Sequence, residues 1–306
     1  MNIRLDIINL WDELNEMPEK KTLDKIRHFG ISLEIFNGNY NELVHHLQIH
    51  NNPRTSTELM GYDKRELLQR YQLEITRFMH NYFASALSLT DHARNHYKDL
   101  YSNNSLFPDY QDEINIRFVR NPLAVFVKDL RKYFQHYQIP SVSTQVQYSK
   151  NAPDIIVRLL LPQEELLKFS GWSSLSKEYL KESAEDIDLL TLVNNYHHHI
   201  VEFYNWFINR QMNIHNNDAI KVKKQKDKIR KLEIMILIEQ NFIQPKKIED
   251  FEIEISKLFP NQVFYKNRVY KNEAERIEYL LIFLNKICNL NVETKRKLKS
   301  SFRLKK

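Results

Sequence analysis

Residues 64–101 read KRELLQRYQLEITRFMHNYFASALSLTDHARNHYKDLY, with no glycine or proline anywhere in the run. Within it Leu67, Leu68, Tyr71, Ile75, Phe78, Met79, Tyr82, Ala86, Leu89, Ala93, Tyr97 and Leu100 return at steps of three and four, which predicts one long amphipathic helix. A stripe of that length cannot be buried by the helix that carries it. The rest of the chain must supply partners, and its scarcity of turn residues, 4 Gly and 9 Pro in 306, implies that those partners are long helices too.

Two are visible. A second helix is expected over residues 111–137, with Pro122 in its first turn if the helix proper begins near Asn121, and with Pro140 barring continuation. A third is expected over residues 184–215, where Ile187, Leu190, Val193, Tyr196, Ile200, Phe203, Tyr204 and Phe207 keep the helical period. Three such stripes pack on one another as a bundle. Between the second and third helices, Val142, Thr144, Val146 and Tyr148 alternate, SKNAPD forms a turn cluster and IIVRLLL follows, which predicts a β-hairpin. A short helix around PQEELLKF comes next.

The expected architecture is mainly α: a bundle of long antiparallel helices over residues 64–216 with a small β-hairpin near 142–161. An acidic helical segment of two or three helices, residues 1–63, and a basic, mostly helical segment, residues 217–306, flank it. QVFYKNRVY in the last segment reads as a strand. Charge follows the same division. Residues 1–63 carry a net −4 and residues 217–306 a net +10, while the middle is neutral. The basic runs KVKKQKDKIRK and KRKLKSSFRLKK suit phosphates or an acidic partner, and equally a solvated helix face.

Several classes are disfavoured. The single cysteine, Cys288, permits no intrachain disulfide and reads as a small buried apolar residue. There is no apolar run of the roughly 20 residues that span a bilayer, and MNIRLDIINLWDELNEMPEKK places acids inside its apolar stretch, unlike a signal peptide. The expectation is a cytoplasmic protein with no membrane contact. Gly-rich phosphate loops, G-x-S-x-G and H-E-x-x-H are absent. Glu42 with His45, His92 with His96, and His197, His198 and His199 near Glu202 offer pairs of ligands without a third, so each reads first as a polar helix face, with a metal-dependent bundle enzyme as the remote alternative. No cofactor is expected.

The remaining chemistry lies in DLRKYFQHYQIP, residues 129–140, which places Arg131 five positions before His136 near a helix end. Taking 100° per residue, Leu123, Phe126, Val127, Leu130, Phe134 and Tyr137 form the buried stripe. Arg131 falls about 95° to one side of it and His136 about 125° to the other, with Lys128, Lys132 and Gln135 between. The two splay apart on a lone helix, so a shared site needs a second surface, which a two-fold contact would bring. An imidazole exchanges protons near neutral pH, and a guanidinium holds phosphate with two parallel hydrogen bonds. Lys128 and Lys132 would add attraction for a phosphate backbone. Asp129 would orient the imidazole or simply pair with Lys132 or Lys128.

Chance supplies about two R-x4-6-H pairs in a chain with this composition, and two are present, the other being Arg210 with His215. That second pair sits in NRQMNIHNND, an asparagine-rich helix exit. The first, LRKYFQH at the end of a bundle helix, resembles the R-x4-6-H motif of the HEPN superfamily of helical bacterial ribonucleases and nucleotide-binding domains. The resemblance covers the motif and, loosely, the 64–216 bundle. It implies a metal-independent RNA endonuclease with Arg131 and His136 catalytic in a composite site across a homodimer, serving as a toxin or phage-defence effector and restrained by an antitoxin or regulator. Lys132 departs from the family, which commonly carries Asn, Asp or another small polar residue there. That leaves open a non-catalytic binding module that meets nucleic acid or an acidic partner through its basic C-terminal third.

Overall fold

The computed structural model of the chain describes residues 3–148, 155–183, 185–259 and 269–303. In chain order the helices are α1 (Ile3–Glu16), α2 (Pro18–Asn51), α3 (Pro53–Leu59), α4 (Arg65–Tyr101), α5 (Tyr110–Ile114), α6 (Pro122–His136), α7 (Gln163–Leu166), α8 (Ser174–Glu182), α9 (Leu189–Ile214), α10 (Asn216–Ile243), α11 (Ile248–Leu258), α12 (Glu273–Cys288) and α13 (Val292–Arg303). Strands β1 (Ser143–Tyr148), β2 (Ile155–Leu161) and β3 (Ile187–Asp188) form one antiparallel sheet in that order. The fold is mainly α, as the periodicity predicts.

Three local differences have identifiable causes. The helix expected over 111–137 is two helices: after α5 a π turn, Asn115–Val119, ends with the Arg120 N–H bonded to the Asn115 carbonyl at 3.0 Å. Asn121 is then extended, as a residue before proline prefers to be, and its side chain accepts from the Ala124 N–H to start α6 with Pro122 at its first position. The helix expected from 184 begins later, because Ile187 and Asp188 pair with Leu161 and Leu160 of β2 before Asp188 caps α9 through the Thr191 N–H. In the predicted hairpin, β1 and β2 pair in register from Ser143 with Leu160 to Tyr148 with Ile155. Its SKNAPD turn, and most of the strand read in QVFYKNRVY, lie outside the described residues.

The chain divides into two compact units, Asp24–His215 and Met1–Leu23 with Asn216–Lys306. The first boundary falls inside α2, so the acidic segment drawn at 1–63 is not one body. Phe29, Leu33, Phe36, Leu43 and Leu47 of α2 share the bundle core with Ile75, Met79, Tyr82 and Phe83 of α4 and with Ile200, Phe203 and Phe207 of α9. In the other unit Leu14 packs with Val222 and Ile229, and Glu19 pairs with Lys221 at 2.8 Å. A further core joins Ile234, Phe251, Leu280, Leu284 and Phe302, beside a fork of Arg276 on Glu252 and Glu249. Cys288 belongs to that core, where burial raises its thiol to about 11, the inert state of a packed cysteine. Among the described residues no helix is long and apolar enough to cross a membrane.

Two histidines of the bundle, His50 buried and His197 half-buried, are held toward the neutral form. His50 is fully enclosed with its Nδ1 unpartnered, and His197 is stacked on Tyr40 with ring centroids 3.5 Å apart. Burial lowers both to about 4. A folded-state value below the unfolded one means that the unfolded chain binds the proton first, so stability is complete above about pH 6.5 and falls as the pH drops toward 4. For His50 that loss is on the order of 3 kcal/mol. Urea unfolding of the bundle is expected to show this decline, and His50→Phe, which keeps a ring against Tyr71, should flatten it.

Candidate functional site

Helix α6 carries every candidate residue, and it is packed on both sides rather than one. Phe126, Val127, Leu130 and Phe134 are buried as the apolar stripe requires. Tyr133 is fully buried as well, while Tyr137, placed in the stripe from its spacing, is 48% exposed. The reason is a second layer: α6 also packs against α8, and Tyr133 lies against Trp172 with ring centroids 5.8 Å apart.

Asp129 is the polar centre of that second contact. It is 2% exposed, and its carboxylate accepts from the Ser173 N–H at 3.0 Å, from the Ser176 hydroxyl at 2.8 Å and from Lys132 Nζ at 3.0 Å. Burial pushes its pKa up, but the bonds from Ser173, Lys132 and Ser176 outweigh this and hold it at about 2. Asp129 therefore joins α6 to the first turn of α8, and among the described residues it makes no bond to His136. Lys132 is its ion-pair partner, so the charge of Lys132 is neutralised within the helix.

Arg131 and His136 occupy different surroundings. Arg131 is half-buried on the wall of a cavity of about 690 Å³, which lies between α4, the α5 and π-turn segment, α6, the start of α8 and α9. Its Nε is shielded from solvent and has no hydrogen-bond partner among the described residues. Lys128 and Lys132 also line the cavity, as does Arg94 from α4. His136 is exposed at the end of α6 and does not line the cavity. Within a single chain, then, the structure gathers Arg131, Lys128 and Lys132 and leaves His136 apart.

Sequence reasoning missed Asp91, Arg94, Ile114 and Phe118 as walls, whereas Tyr196, Phe203 and Tyr204 stand in the aromatic stripe expected of the third helix. Arg94 and Asp91, paired at 3.2 Å, flank the opening from α4, while Ile114, Phe118, Phe203 and Tyr204 make it apolar. For the apolar walls the helical period marks a core without marking where that core is left open.

Four of the other histidines have partners of their own. His92 Nδ1 lies 2.8 Å from the Ser32 hydroxyl, His96 Nε2 2.6 Å from Gln211, His198 3.1 Å from Glu202, and His199 Nε2 2.6 Å from the Arg117 carbonyl. Among the described residues no three His, Cys, Asp or Glu side chains gather to hold a metal ion. Of the second R-x4-H pair, Arg210 is bonded to Asp109 at 3.0 Å and His215 lies 3.1 Å from the Tyr101 hydroxyl, both internal contacts. Comparison with protein-family models, with curated proteins and with solved structures finds no match to this chain.

Because Asp129 satisfies two groups of α8 from inside the protein, its loss leaves them without a partner. Asp129→Ala is expected to destabilise the bundle by about 2 to 4 kcal/mol, and Asp129→Asn by less, both read from denaturant midpoints at neutral pH.

Proposed function

We propose that the bundle unit is a metal-independent RNA endonuclease of the R-x4-6-H kind, acting in the cytoplasm as a two-fold pair. The observation that carries this reading is the shielded, unpartnered Nε of Arg131 beside Lys128 on an open cavity wall. An uncompensated guanidinium in such a place is stabilised by an oxyanion, and a phosphodiester supplies one. His136 is the exposed imidazole of the pair, and it is followed by Tyr137 and Ile139, apolar side chains that are 48% and 66% exposed. An exposed apolar margin around His136 supports self-association at that end of α6.

In this reading Arg131 holds the scissile phosphate and its developing charge. His136 accepts the proton of the 2′-hydroxyl as that oxygen bonds to phosphorus. The P–O5′ bond breaks, and the leaving 5′-oxygen takes a proton from His136 of the second copy, leaving a 2′,3′-cyclic phosphate and a 5′-hydroxyl. Asp129 and Lys132 serve by position, fixing the helix that carries Arg131. Toxin or phage-defence action, with a regulator that restrains cleavage, is the role such an activity would suit.

A specific observation keeps a binding reading beside it. Lys223, Lys224 and Lys228 on α10 are exposed and make no ion pair among the described residues, which suits contact with a phosphate backbone.

The purified chain is expected to cut single-stranded RNA in EDTA. Arg131→Ala and His136→Ala should each lower the rate by about 100-fold or more while the protein stays folded. Unchanged rates in both variants sink the nuclease reading. Binding without cleavage, steeply salt-dependent and lost when Lys223, Lys224 and Lys228 become Glu, transfers the function to the second unit.

A further inference from the structure

The cavity beside Arg131 is larger than a phosphate needs. Its volume of about 690 Å³ lies in the range of roughly 300–1,000 Å³ typical of small-molecule sites. A phosphate on Arg131 alone would leave most of it unfilled, and most of its wall is apolar and aromatic, with Phe118 half-buried and Tyr110, Tyr196, Phe203 and Tyr204 beneath.

The charges around it do not cancel. Of the four cations in the wall, Arg94 is paired with Asp91 at 3.2 Å and Lys132 with Asp129 at 3.0 Å. Lys128 and Arg131 have no ion pair among the described residues. The uncompensated charge is therefore two positive groups, one helical turn apart on α6, at the edge of an apolar recess. A ligand that satisfies both features has a compact anion joined to a flat apolar body. Gln111 and Ser174 also line the recess, and polar groups there can bond the edge of a heterocycle, whereas an alkyl chain has no use for them; the third hydroxyl in the wall, Thr90, is already given to the Ala86 carbonyl.

We infer that this cavity is a recess for one unstacked nucleobase of the RNA, with the adjoining phosphate on Lys128 and Arg131. The inference rests on the nuclease reading for the identity of the polymer, but the recess is a property of one chain and is tested without cleavage. Taking a base out of a single strand is a mode of RNA recognition that relies on aromatic surface and edge hydrogen bonds, and it would give cleavage a preference for one base beside the scissile bond.

The test is equilibrium binding of the full chain, by calorimetry, to the four nucleoside monophosphates, to their nucleosides, to inorganic phosphate and to decanoate. At least one monophosphate is expected to bind about tenfold or more tightly than its nucleoside and than phosphate. Arg131→Ala should remove that advantage. Val125→Trp and Leu175→Trp, which fill the recess from two different walls, should each abolish base-dependent binding yet leave the melting temperature and the weak binding of phosphate in place. Equal binding of phosphate and monophosphates, tighter binding of decanoate, or two folded Trp variants that bind like wild type overturns the recess. The two readings fail separately: base-selective binding with no RNA cleavage ends the nuclease and leaves the recess standing. RNA cleavage that both Trp variants carry out with unaltered rate and base preference ends the recess alone.

Discussion

Asp129 sits where two helices meet and carries a charge into a place that is 2% exposed. A carboxylate there is tolerated only with its lone pairs filled, and Ser173, Ser176 and Lys132 fill them. Much else depends on that contact. It sets the first turn of α8 against α6, which places Ser173, Ser174 and Leu175 along one wall of the cavity. It neutralises Lys132, and by doing so leaves Lys128 and Arg131 as the cations of the cavity wall without an ion pair among the described residues. A residue that the sequence groups with Arg131 and His136 is in this fold a post between two helices.

The cavity arises from the same local arrangement. Pro122 opens α6 with Asn121 extended before it, a π turn fills Asn115–Val119, and residues of α5, the π turn and α6 line the cavity together with Phe203 and Tyr204 of α9. Inserted turns of this kind are common at functional sites, because they widen a helix junction without unravelling it. The apolar floor comes from core residues of the bundle, and the cations come from the polar side of α4 and α6. The proposed roles of Arg131 and of the recess both follow from that meeting of surfaces, and the proposed role of His136 requires a second copy.

Legibility in the sequence tracked the range of the interactions involved. The helix α4 was readable almost to its ends, since period and the lack of breakers are local properties, and the two strands of the hairpin followed from alternation and β-rich composition, while their register came from the structure. The break at Asn121 was half legible, as the Asn-Pro pair permitted it without requiring it. The strand at Ile187 was not, because its cause is pairing with β2, and neither was the burial of Tyr133 and Asp129, because α8 carries no strong apolar period to announce that it would cover them. The placement of α2 in the bundle was missed for a related reason: charge composition grouped residues 1–63, while contacts divide them at Leu23 and Asp24.

By itself the sequence determined the class of fold, the long helices and their buried stripes, the hairpin, and the short list of residues on α6 with chemistry to offer. These depend on backbone propensity and on side-chain periodicity, which neighbours in the chain settle among themselves. Only the tertiary structure decided which of those residues share an environment. It put Arg131 and Lys128 on a cavity wall, committed Asp129 and Lys132 to each other, and left His136 in solvent. The physical reason is that burial, pairing and open space are set by helices distant in sequence, and a periodic pattern states that a face will be covered without stating what will cover it.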